Sequence, residues 1–128
     1  MSLTQTAALE AYARMINRLD SSCLADLLAD DFHYASQWIF QEIESKQDFL
    51  DYIQPKLEAI RSSGNKPRAE MAVLPSMGDE PCVVLSQAAG NDLIATVLAR
   101  CSEERILRLD MCEVPSPQSA IRSGSFLT

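Results

Sequence analysis

The sequence predicts an α+β domain shaped as a cup, a curved, mostly antiparallel sheet wrapped around N-terminal helices and one long helix. Three observations predict it. Apolar residues recur at helical spacing over residues 4–19 and 45–62, four strand-like runs follow one another from Lys66 to Val114, and Phe32 to Trp38 alternates large side chains onto one face. At 128 residues the helical and stranded halves cannot bury separate cores, so one domain is expected over residues 1–114 with a tail over 115–128.

The first helix is expected from Thr4 to Leu19, because Leu9, Tyr12, Ile16 and Leu19 share a face with Ala8 and Met15 beside them. Asp20, Ser21 and Ser22 supply N-cap oxygens for a short helix through Leu28, which Asp30 and Asp31 then break. A strand follows from Phe32 to Trp38, with Phe32, Tyr34, Ser36 and Trp38 on one face and His33 on the other. Ser45 and Asp48 resemble a capping box and open a long helix whose stripe is Phe49, Ile53, Leu57 and Ile60. Pro55 lacks a backbone donor, so a kink or restart is expected near Gln54.

Strands are expected over Lys66 to Pro75, Pro81 to Ala88, Asp92 to Cys101 and Arg105 to Val114, joined by turns at Gly78-Asp79, Gly90-Asn91 and Ser102-Glu103-Glu104. Alternation puts Leu93, Ala95, Val97, Ala99 and Cys101 inward, and then Leu107, Leu109, Met111 and Glu113. The run Pro81 to Leu85 is apolar on both faces, and Leu98 and Cys112 sit on the face opposite the cavity, which calls for cover there too.

A net charge of −7 argues against nucleic acid or an anionic membrane as partner, since both call for clustered Lys and Arg, and no apolar run approaches the ~18 residues that span a bilayer. The opening Met-Ser-Leu-Thr-Gln-Thr lacks the basic and apolar regions of a signal peptide, so a cytoplasmic location is expected. There Cys23, Cys82, Cys101 and Cys112 would be thiols. No C-x-x-C spacing accompanies the single histidine, His33, so no metal site and no cofactor is expected.

The order of elements resembles the cone-shaped NTF2-like fold and its SnoaL-like and ketosteroid-isomerase-like relatives over residues 4–114. Leu27-Leu28-Ala29-Asp30-Asp31-Phe32 is similar to the family's F-A-D-D helix exit, and Ile43-Glu44-Ser45-Lys46-Gln47-Asp48-Phe49-Leu50 to its G-R-E-A-I helix entry. The resemblance implies a pocket between the first helix and the concave sheet face, open to a small apolar ligand. Counting from Ala29-Asp30-Asp31 places Tyr12 where ketosteroid isomerases carry an oxyanion-hole tyrosine. Counting forward puts Ser36 at their carboxylate base, and aligning the last two strands puts Val97 at their protonated aspartate. Serine cannot abstract a carbon-bound proton and valine cannot stabilise an enolate, so that chemistry is not expected.

The expected function is binding of a small, mostly apolar molecule in an aromatic-lined cup formed by Tyr12, Tyr34, Ser36, Trp38, Met71, Val97, Leu109 and Met111. The alternative is a cofactor-independent SnoaL-like acid–base enzyme with Glu113 as base and Tyr12 or Tyr34 as acid; a third reading is an interaction module with a filled cavity. A homodimer through the sheet is expected, as in similar folds.

Overall fold

The computed structural model describes residues 3–37, 39–87 and 92–128. Helix α1 (Gln5–Arg18) starts at Thr4, whose side-chain oxygen accepts from the Ala7 N–H at 3.0 Å. It ends at Leu19, which takes a left-handed conformation (φ 56°) while its side chain stays buried. The short α2 is Ser22–Ala25 and strand β1 is Leu28–Ser36.

The chain therefore leaves α2 earlier than Asp30 and Asp31 suggest, and both acids lie inside the strand. Leu28 pairs with Ile106 while His33 pairs with Arg108, and the irregular stretch between them leaves both aspartates exposed. Phe32 and Tyr34 remain on the inner face, each with its ring 5.1 Å from Phe49. His33 points the other way, as alternation requires, and meets Glu42.

Helix α3 (Lys46–Ser63) begins at Ser45, which caps the Asp48 N–H at 3.0 Å, and closes at Gly64 (φ 76°), a conformation glycine adopts without a Cβ penalty. It runs unbroken through Pro55, so the expected restart near Gln54 is absent. Pro55 and Asp51, whose carbonyl loses its partner, both face solvent, where water can take up the bond.

Strands β2 (Arg68–Leu74), β3 (Glu80–Gln87), β4 (Asp92–Ser102) and β5 (Arg105–Cys112) form the expected antiparallel meander. The full order is β1-β5-β4-β3-β2-β6, with β1 parallel to β5 and β6 (Ile121–Arg122) on the outer edge of β2. Helix α1 lies across β2, β3 and β4, and α3 lies against β1. Between helices and sheet sits the main core, which includes Leu9, Tyr12, Phe32, Phe49, Val83, Val97 and Leu109.

Two bulges correct the expected faces. Leu85 pairs with Ala95 but Ser86 with Leu93, so Ile94 is the extra residue; it packs with the main core while Leu93 joins the cluster on the convex side. Arg100 pairs with Arg108 but Cys101 with Ile106, so Leu107 is extra. Ile106 takes the buried place and Leu107 is 39% exposed. The convex cluster of Ala72, Leu74, Cys82 and Val84 receives part of its cover from the chain's own tail, through Ala120.

Residues 115–128 are stitched to the domain at several points. Thr96 Oγ1 donates to the Pro115 carbonyl (2.9 Å), Ser123 and Ser125 bond the Met71 backbone, and Asn17 Nδ2 donates to the Leu127 carbonyl (2.6 Å). The carboxylate of Glu70, buried in β2, accepts from Arg122 Nε and the Gly124 N–H, each at 2.7 Å.

Candidate functional site

A cavity of about 310 Å³ opens between α1, α3 and the concave sheet face. Helix α1 supplies Tyr12 and Ile16 one turn apart, and α3 supplies Ile53, Lys56, Leu57 and Ile60. Tyr34, Leu85, Ile94 and Met111 come from four different strands. The exposed Lys56, Asn65 and Gln87 mark the solvent side of the lining. The Ile94 bulge is thus a construction element, because a regular β4 would have aimed Leu93 here instead.

All three tyrosines of the chain gather on this side of the sheet. The Tyr34 and Tyr52 rings lie 5.8 Å apart, and Tyr34 Oη donates to Met111 Sδ at 3.9 Å. Tyr12 is 1% exposed and lines the cavity, and no described residue hydrogen-bonds its hydroxyl. Burial pushes the Tyr12 phenol well above its ordinary range, and the neighbouring Tyr34 and Tyr52 phenols add to the rise. Burial raises Tyr34 as well, again with help from Tyr52, so both phenols stay neutral donors at any physiological pH.

Of the residues expected in the cup, the cavity lining contains Tyr12, Tyr34 and Met111. Ser36 stands one step back, donating to Met111 Sδ at 3.9 Å. Val97 and Leu109 are fully buried core residues, not lining residues, because the helices settle onto the central strands and leave space only toward one end. Met71 lies elsewhere, in a shallow depression with Thr6 and Ile121 beside the β6 edge. Trp38 lies outside the described residues. Glu113, expected to face inward, follows the end of β5 and is exposed, with its backbone N–H bonded to Gln37 Oε1 at 2.7 Å.

Tyr52 and Lys56 carry chemistry that the apolar stripe of α3 conceals. They are four residues apart, so they share one side of the helix. Lys56 Nζ donates to Tyr52 Oη at 3.1 Å and lies 5.3 Å from the ring centre. Among the described residues no carboxylate or imidazole lines the cavity. Nor do any described His, Cys, Asp or Glu side chains group in a way that could hold a metal, and all four cysteines are free.

No family model and no curated protein matches the sequence. Solved structures do match the fold. An NTF2-like protein of unknown function from Cytophaga hutchinsonii superposes with TM-score 0.58 at 12% identity, covering 90% of this chain and 96% of that one. A SnoaL-like protein of unknown function from Burkholderia thailandensis gives 0.53 at 16% identity, covering 97% and 100%. A protein with a ketosteroid isomerase-like fold from Catenulispora acidiphila, in complex with trimethylamine, gives 0.50 at 14%, covering 85% and 86%. The chain therefore has the NTF2-like fold, the α+β cone shared by SnoaL-like, ketosteroid-isomerase-like and cystatin-like proteins. No described helix is long and apolar enough to cross a membrane.

Proposed function

We propose that this chain binds a small, mostly apolar molecule in the cavity between α1 and α3. The observation that carries the reading is the Tyr12 hydroxyl, a neutral donor without a protein partner among the described residues, carried by a buried side chain that lines a mostly apolar cavity. No buried side-chain polar atom among the described residues lacks a partner, so the Tyr12 hydroxyl reaches the cavity space, where a ligand oxygen can accept from it in place of water. The volume of about 310 Å³ lies at the small end of ligand pockets. It corresponds to about ten waters at liquid density.

An acid–base enzyme built on Glu113 has less support. That carboxylate is exposed beyond the end of β5, and the cavity lining holds no carboxylate or imidazole among the described residues to remove a carbon-bound proton. The trimethylamine held by the Catenulispora protein agrees with small ligands entering this fold, while Lys56 makes a cationic ligand a poor match here. Native mass spectrometry of the purified protein, followed by denaturation and identification of what is released, tests the reading. Substoichiometric or full occupancy by a small apolar compound, lost in Ile94→Phe, is expected. An empty cavity that also gives no thermal shift with small aromatic alcohols would refute it.

A further inference from the structure

The charge of the lining is opposite to that of the chain. The protein carries 18 acidic and 11 basic side chains, yet the one charged residue among the described lining residues is Lys56. No carboxylate pairs with it: the ion pairs among the described residues involve His33, Arg61, Arg108 and Arg122. Its ammonium is nonetheless held in place, by a 3.1 Å bond to Tyr52 Oη and by the Tyr52 ring beneath it. An ammonium has three donors, and this arrangement uses one.

We infer that the occupant of the cavity is an amphipathic monoanion, with an apolar body between α1 and α3 and one carboxylate held at the open side by Lys56. The inference rests on the binding function proposed above and adds the polarity and orientation of the ligand. Ile16, Ile53, Leu57 and Ile94 offer only apolar surface to the body, while Tyr12 offers one hydroxyl for an oxygen on it. The amides of Asn65 and Gln87 stand on the same lining as Lys56 and can donate to the second carboxylate oxygen. A phosphate ester fits less well, since a dianion calls for an arginine fork or several convergent donors and the lining supplies one cation. A cationic ligand would face Lys56 with no carboxylate in the lining to offset it.

Isothermal titration of the full chain with 4-phenylbutyrate, 4-phenylbutanol and 4-phenylbutylamine at neutral pH separates the possibilities, because the three share one apolar body. The acid is expected to bind about fivefold tighter than the alcohol, the scale of a partly exposed charge contact, and the amine weakest of all. Lys56→Met keeps the aliphatic stem and the melting temperature; it should erase the acid's advantage while leaving the alcohol within about twofold. Added salt should shrink the same advantage. Equal binding of acid and alcohol, or an advantage that survives Lys56→Met, overturns the inference and leaves the binding function standing. Failure of all three probes overturns the binding function, and the inference with it.

Discussion

Glu70 and Arg122 form an ion pair of 2.7 Å in which the carboxylate side chain is 3% exposed and the guanidinium 37%. The same carboxylate accepts from the Gly124 N–H, so one buried acid in β2 holds two points of the tail. Removing it takes a buried carboxylate away from both the Arg122 guanidinium and the Gly124 N–H. Glu70→Ala should cost about 2–4 kcal/mol in urea unfolding, and hydrogen exchange at the β2–β6 pairing should accelerate before the rest of the sheet. Unchanged exchange there would show that the strand pairing Ala72–Arg122 and Val73–Ile121 holds the tail unaided.

The raised phenols make a prediction at high pH. In the unfolded chain Tyr12 and Tyr34 ionise near pH 10; in the folded protein burial keeps both protonated beyond that. The folded state then binds more protons than the unfolded state, so stability is fully present below about pH 10 and falls above it, by up to about 1.4 kcal/mol per pH unit for each phenol. Cys82, pushed up to about 11 by burial and the Glu80 charge, starts the decline from about pH 9. Tyr12→Phe should fold, flatten the alkaline slope by one proton, and weaken oxygen-bearing ligands more than hydrocarbons of the same shape. An unaltered slope would show that the Tyr12 phenol is not desolvated.

On the acid side the prediction concerns Glu42, the hub of a network on the far face of the sheet. Its carboxylate bonds Arg108 Nη2 at 2.6 Å and His33 Nδ1 at 2.5 Å, and Arg108 also grips Asp110 through Nε. The Arg108 bond first, and the His33 bond second, hold Glu42 down at about 2. A lowered folded pKa adds stability above the ordinary carboxylate range, and that stability is lost as pH falls through about 2. Glu42→Gln should therefore lower the urea midpoint at pH 7 and converge with the native chain near pH 2. A gap that is constant with pH would assign the effect to packing instead of charge.

Much of this architecture is readable from local pattern, and the exceptions share a cause. Thr4 and Ser45 announce their helices because capping is chemistry of a few adjacent residues, and Gly64 ends α3 for the same reason. The bulges at Ile94 and Leu107 are set by pairing with β3 and β4, so alternation along one strand misplaces Leu93 and Leu107. Val97 and Leu109 face inward as alternation says, but how far the helices descend on them depends on side-chain volumes across three elements. Tyr12, Tyr34 and Met111 are recoverable because each lies on an inward face of its element. Tyr52 and Lys56 escape notice since they sit beside the apolar stripe of α3, although their spacing of four residues was a usable signal.

The central claim is that the space beneath α1 and α3 receives a ligand, and methyl-detected NMR on isoleucine-labelled protein tests it most directly. Titration with 4-phenylbutanol should shift Ile16, Ile53, Ile60 and Ile94, which line the cavity, and leave Ile121, exposed on the tail, in place. Saturable shifts confined to those four methyls are the predicted result. Shifts that grow without saturation across the surface, or none at the cavity isoleucines, would contradict a binding cup.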